Sequence, residues 1–233
     1  MLSFSVLLSV LLVGLSAESM QAHAEQAMAR GELERARDLL EAAWAHYATN
    51  PTPDGEKERA VAKALASALI GLGRYREAEV WLKRLEERLE RSPTAPQTAA
   101  LAELRRQQAV LARLLGDPAR SQRLLEEAEA LAARSADRRL QARIAFELGE
   151  LERSREALGL ARRHFGHALS LLEELDGDCH PKLLPVLDAL ARVAREDEDA
   201  SAWRQHAERA AACAERLGLP AAESRRAELG ESD

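Results

Sequence analysis

The sequence predicts an all-α fold in which antiparallel helix pairs stack into a solenoid, an α-α superhelix, and three observations carry that reading. The apolar share of 46% is mostly Ala and Leu, with aromatics at 3% and few β-branched residues, so the intrinsic preference is helical almost throughout. Glycines and small residues recur at intervals near 42 residues, the mark of a stacked supersecondary unit. The prolines, each costing about 3 kcal/mol inside a helix, keep to gaps between pairs or to opening turns.

The period is clearest at Gly31, Gly73 and Gly116, which lie 42 and 43 residues apart, each two residues ahead of a helix start. Five residues after each stands a small residue, Ala36, Ala78 and Ser121, and four later a Leu, at Leu40, Leu82 and Leu125. Ala161 and Phe165 continue that pattern without the Gly. A second series runs seven residues ahead of the glycines, through Ala24, Ala66 and Ala109, and goes on to Gly149 and Ala191. Small side chains at matched places let the two helices of a pair approach closely.

In order, the predicted pairs are 17–29 with 32–47, 56–72 with 75–91, 96–115 with 118–134, 136–153 with 156–176, and 181–196 with 199–217. A short tail helix over 220–229 closes the array, so residues 18–217 form the repeat domain and 218–233 the cap and tail. Pro51, Pro53, Pro93, Pro96, Pro181 and Pro220 fall between pairs. Pro118 follows Asp117 at a helix start, where Asp caps and Pro suits the first turn, and Pro185 lies in an opening turn.

Residues 1–17 are different in kind. The uncharged run Leu2 to Leu15 would be about 21 Å long as a helix, short of the roughly 30 Å core of a bilayer, so no stable membrane span is expected. Its length and the small residues Ser16 and Ala17 suit a secretory signal or an N-terminal tether, although the usual basic residue ahead of the run is missing. The expectation is an exported or cell-envelope protein; the alternative is a cytoplasmic one in which the run caps the array. A net charge of −6 gives no field that draws the chain to nucleic acid. Cys179 and Cys213 flank the fifth pair and can either bridge or stay as two buried thiols.

The repeat resembles the tetratricopeptide family, whose pattern sets Leu-Gly in the first helix, a Gly turn, then Ala and an aromatic in the second. Leu148-Gly149 with Ala161, Phe165 and Ala168 matches best, followed by Gly73-Arg74-Tyr75 with Ala78. Spacing near 42 is similar to the longer-helix variety of kinesin light chains and bacterial peptide-sensing regulators. The resemblance spans about residues 17 to 217 and is specific for architecture. Departures are Trp203 in place of Ala, Glu156 and Glu198 in place of the turn Gly, and His23 and Gln108 in place of the first-helix Leu.

The resemblance implies a concave groove lined by the first helices, facing Lys63, Arg106, Arg113, Arg143, Phe146, Arg153, Arg192 and Arg195. Of these, Arg106, Arg113, Phe146, Arg153, Arg192 and Arg195 are the expected partner-binding residues, and the expected partner is a protein or an acidic peptide gripped by guanidinium forks. Glu103, Glu147, Glu150 and Asp188 interrupt the basic run, and the competing reading is salt bridging within the groove. His164 and His167 stand one turn apart without acidic or Cys ligands beside them and read as surface histidines. No nucleophile-base pair, phosphate loop or metal-ligand spacing is legible, so no catalysis, cofactor or metal is expected. The function expected is a protein-interaction scaffold, with a ligand-responsive sensor acting on an effector in trans as the alternative.

Overall fold

The computed structural model describes residues 16–50, 52, 55–91 and 97–230. The apolar run Leu2 to Leu15 and four of the prolines, Pro51, Pro53, Pro93 and Pro96, lie outside them. The described residues contain eleven α-helices and no strand: α1 (Ala17–Ala29), α2 (Leu33–Thr49), α3 (Glu56–Gly71), α4 (Tyr75–Arg91), α5 (Gln97–Leu114), α6 (Pro118–Ser135), α7 (Arg138–Ser154), α8 (Leu158–Asp176), α9 (Leu184–Glu196), α10 (Ala200–Arg216) and α11 (Ala221–Gly230). A 3-10 turn, Pro181–Leu183, leads into α9. Each helix lies within about three residues of its expected ends, because proline and positive-φ residues set most of those ends.

The chain forms two compact units that part between Gly116 and Asp117, inside the third expected pair. In the first unit, α1 packs on α2, α2 on α3, α3 on α4, and α4 on α5. Its core is Leu and Ala from consecutive helices, with Leu40, Leu65, Leu69, Leu82 and Leu104 all fully buried. In the second unit, α6 packs on α7, α7 on α8, α8 on α9, α9 on α10, and α10 on α11. There the core runs from Phe165 through Leu183 and Leu187 to Ala210 and Ala214.

The turns explain how repeats lacking the expected Gly keep the same shape. Gly31, Gly73 and Gly116 have φ of 75°, 72° and 82°, the left-handed region that favours glycine, and Glu156 and Glu198 occupy it as well, at 63° and 56°. At each of the two glutamates the next residue's N–H returns to a carbonyl five residues back, Ala157 to Glu152 and Asp199 to Ala194. That bond is the Schellman-type closure that satisfies helix-end carbonyls. The following helices begin with capping aspartates in three cases: Asp117, Asp137 and Asp199 accept from the backbone N–H of Arg120, Leu140 and Ala202 at 2.9, 3.0 and 3.0 Å.

Gly149 shows why the pair α7 and α8 needs a small residue. A Cβ there would fall 2.6 Å from two ring atoms of Phe165, which is fully buried. The aromatic of the second helix therefore occupies the space that the glycine of the first leaves open. In the fifth pair the same role passes to Trp203, which sits against Ala191 and Ala194 of α9 with only 8% of its surface exposed. The cysteines are bridged: Cys179, just ahead of the 3-10 turn, joins Cys213 in the last turn of α10, with Cα atoms 5.3 Å apart.

Candidate partner-binding site

The residues expected in the groove divide between the two units. In the first unit, Arg106 of α5 donates through Nε and Nη2 to Glu103 at 3.2 and 3.0 Å, and Lys63 of α3 reaches the same carboxylate at 3.4 Å. The Glu103 and Arg106 side chains are mostly buried, so this guanidinium is engaged within the fold. Arg113 lies half-buried in the last turn of α5.

In the second unit the first helices α7 and α9 share a charged face. Arg153 of α7 donates to Glu150 at 3.1 Å and to Glu196 of α9 at 3.0 Å. Burial pulls the Arg153 pKa down, but Glu150 and Glu196 more than offset it and hold the guanidinium above its ordinary value. Arg192 of α9 approaches the other Glu150 oxygen at 3.5 Å and stays half-exposed. Arg143 is exposed on α7. Phe146 is half-buried against the Phe165 ring, with centroids 5.3 Å apart, and so serves the core on one side.

Arg195 differs from Arg106 and Arg153. Its guanidinium lies 5.0 Å from the centroid of the Trp203 ring, a cation-π contact, and it makes no salt bridge to a carboxylate among the described residues. Beside it opens a cleft of 410 Å³ bounded by α9, α10 and α11. Ala191, Trp203, Ala207 and Ala210 are among its lining residues, Ala207 being the most accessible of the four. Arg225 of α11 closes one end by donating through both terminal nitrogens to Asp188 of α9, the Nη2 bond being 2.8 Å long.

The structure thus brings Arg192 and Arg195 to one cleft and commits Arg106 and Arg153 to internal pairs. Sequence reasoning missed Arg225 and Ser224, which also line this cleft, because they lie on the tail helix beyond the last repeat. The signal available was Trp203, a bulky departure at a small-residue position. Among the described residues no three His, Cys, Asp or Glu side chains converge as a metal site. No helix among them is long and apolar enough to cross a membrane.

Within each unit consecutive helices pack in order, and left-handed turns recur at the repeat period, the features shared with solved structures. BtubC (BKLC) from P. vanneervenii superposes with a TM-score of 0.70 at 18% identity, covering 85% of this chain and 82% of that one. A thermophilic TPR protein of Thermus thermophilus superposes at 0.64 and 18% identity, over 93% and 98%. The fold is that of the tetratricopeptide repeat. PilW, a type IV pilus biogenesis factor, is similar in the same way, with a TM-score of 0.58 and 16% identity over 91% of each chain. No family model and no curated protein matches the tetratricopeptide-like chain by sequence.

Proposed function

We propose that this chain is a protein-interaction scaffold that holds a peptide or a partner protein against its first helices and carries out no reaction of its own. The observation that carries the reading is the face shared by α7 and α9. Two glutamates and two arginines cross-link there, and Arg195 extends the basic edge to a cleft. A repeat stack of this fold offers a broad surface whose affinity comes from a few anchors in it.

We also place the chain outside the reducing cytosol. The Cys179–Cys213 bridge supports that reading, since such bridges persist in oxidising compartments. Intact-mass measurement with alkylation, on chain isolated under acid quench from its native host, would read the bridged form; two alkylated thiols would overturn it.

The scaffold reading is tested by capture from host extract at low and high salt, followed by hydrogen exchange of the purified chain with each partner identified. Protection of amides in α7 and α9 on partner addition is the expected result. A partner that protects only α6, α8 and α10 would overturn the first-helix face, and the absence of any reproducible partner would overturn the scaffold.

A further inference from the structure

Resting on the scaffold reading, we propose that the cleft bounded by α9, α10 and α11 is the anchor subsite of this chain. Its ligand is a peptide segment bearing an acidic side chain next to an apolar one. The carboxylate lies on Arg192 and Arg195, and the apolar neighbour enters between the helices.

Charge supplies the first part of the argument. Arg192 and Arg195 are three residues apart on α9, so their side chains stand on one face of the helix, one turn apart. Arg225 is neutralised by both oxygens of Asp188. Arg192 is half-exposed with its one long pair to Glu150, and Arg195 is exposed with no carboxylate partner among the described residues. The cleft edge therefore carries excess positive charge in a chain whose net charge is −6, which places this spot against the sign of the whole molecule. A guanidinium stacked on an indole loses little further freedom when it receives an acceptor, because the ring already holds its plane.

Shape supplies the second part. A volume of 410 Å³ is far more than a bare carboxylate fills, since a water molecule occupies about 30 Å³ in the liquid. The methyl groups of Ala207 and Ala221, the accessible alanines of its lining, offer no hydrogen bonds to water, so an ion alone would leave them hydrated. A peptide segment with an apolar residue beside the acidic one satisfies walls and rim together. Alanine at 191, 207 and 210 leaves room between the helices that larger side chains at those α9 and α10 positions would take up.

The test uses the full chain and fluorescence anisotropy with three labelled hexapeptide pools. In the first, two adjacent fixed positions are Glu and an apolar residue and the C-terminus is amidated; the second replaces Glu by Gln; the third keeps Gln and has a free C-terminal carboxylate. The first pool is expected to bind at least ten times more tightly than the second. The double variant Arg192→Gln/Arg195→Gln is expected to remove that difference, while Arg35→Gln, on α2 of the first unit, leaves it. Arg195→Lys, which keeps the charge over Trp203 and loses the fork, should fall between. Circular dichroism and melting of each variant check that the helices remain.

Equal binding of the Glu and Gln pools overturns the proposal, as does a folded double variant that still prefers Glu. Preference for the third pool over the first would assign the cleft to a chain terminus and overturn the acidic side chain. A host partner that binds the double variant as well as the wild type leaves the scaffold standing and removes this subsite.

Discussion

Replacing Gly149 by Ala tests the packing rule on which the repeat rests. The new Cβ would stand 2.6 Å from Cδ1 and Cε1 of Phe165 and 2.8 Å from Cζ, where carbon atoms ordinarily rest at about 3.5–4.0 Å. The ring must therefore recede by about 1 Å. It is fully buried, and the Phe146 ring packs against it at a tilt of 58° with centroids 5.3 Å apart, so it has little room to do so. Overpacking of this kind costs about 1–3 kcal/mol. Ala in mid-helix returns about 1 kcal/mol through its better propensity. The net expectation is a loss near 1 kcal/mol, which lowers the melting midpoint by about 2–4 °C in a chain of this size. Thermal unfolding followed by circular dichroism, run as a double-mutant cycle, isolates the contact. In a Phe165→Leu background the close approach is gone and only propensity remains, so there Gly149→Ala should raise the midpoint by a similar amount. A rise in both backgrounds would show that the glycine is not held by the ring, and the small-residue series would then need another cause.

Glu156→Gly relieves a left-handed residue with φ of 63° and should stabilise by about 0.5–1 kcal/mol, the strain removed outweighing the extra freedom of glycine in the unfolded chain; an unchanged or lowered midpoint refutes it. Opening the Cys179–Cys213 bridge with a phosphine, or by the paired change to Ala, frees a loop of 34 residues and should cost about 3–4 kcal/mol on the chain-entropy estimate, read as a drop in denaturant midpoint with the slope compared between forms. Burial, then the charges of Arg209 and Arg162, hold the His206 pKa below its ordinary value. The unfolded chain therefore takes up the proton first, stability falls as pH drops through about 6.5 toward the folded value, and His206→Gln should flatten that step in a melting series. A separate acid limb is shared by Glu77, Asp176 and Glu215, lowered by their arginine partners, and by Glu18, whose carboxyl is lowered from 4.5 to about 2 chiefly by the Lys57 hydrogen bond: the Glu18 contribution is present above 4.5 and disappears as pH falls toward about 2, and Lys57→Gln should remove that share and leave the step at His206 unchanged.

The helices were legible because their ends are written in residues with local consequences. Pro118, Asp117 and the left-handed glycines stop or start a helix wherever they stand, and the helix pairs follow. The turns at Glu156 and Glu198 were legible only through the period, since nothing local marks a glutamate as left-handed; packing of the flanking helices decides it. The division of the chain between Gly116 and Asp117 has no such local mark, because compactness depends on which helices touch and not on where they end.

Which arginines are engaged by carboxylates depends on a distance that runs across repeats, and here the period itself contains the answer. Residues about one period apart on first helices become neighbours: Lys63 meets Glu103, Gln107 donates to Ser67 at 3.1 Å, Arg192 meets Glu150, and Arg153 meets Glu196. Arg153 and Arg192 can thus be read against the residue about one period away. For Arg153 and Arg192 that residue is a glutamate; the Arg153 pair is largely buried, and the longer Arg192 pair lies at the cleft edge. For Arg195 the residues 42 and 43 places earlier are Arg153, already held by two carboxylates, and Glu152, which pairs with Arg155 instead. Arg195 stays outside that network and rests against the Trp203 ring. The basic run that looked uniform along the chain is sorted by these contacts: Arg106 and Arg153 are held within the fold, while Arg192, with one long pair to Glu150, and Arg195, on the Trp203 ring, face the cleft.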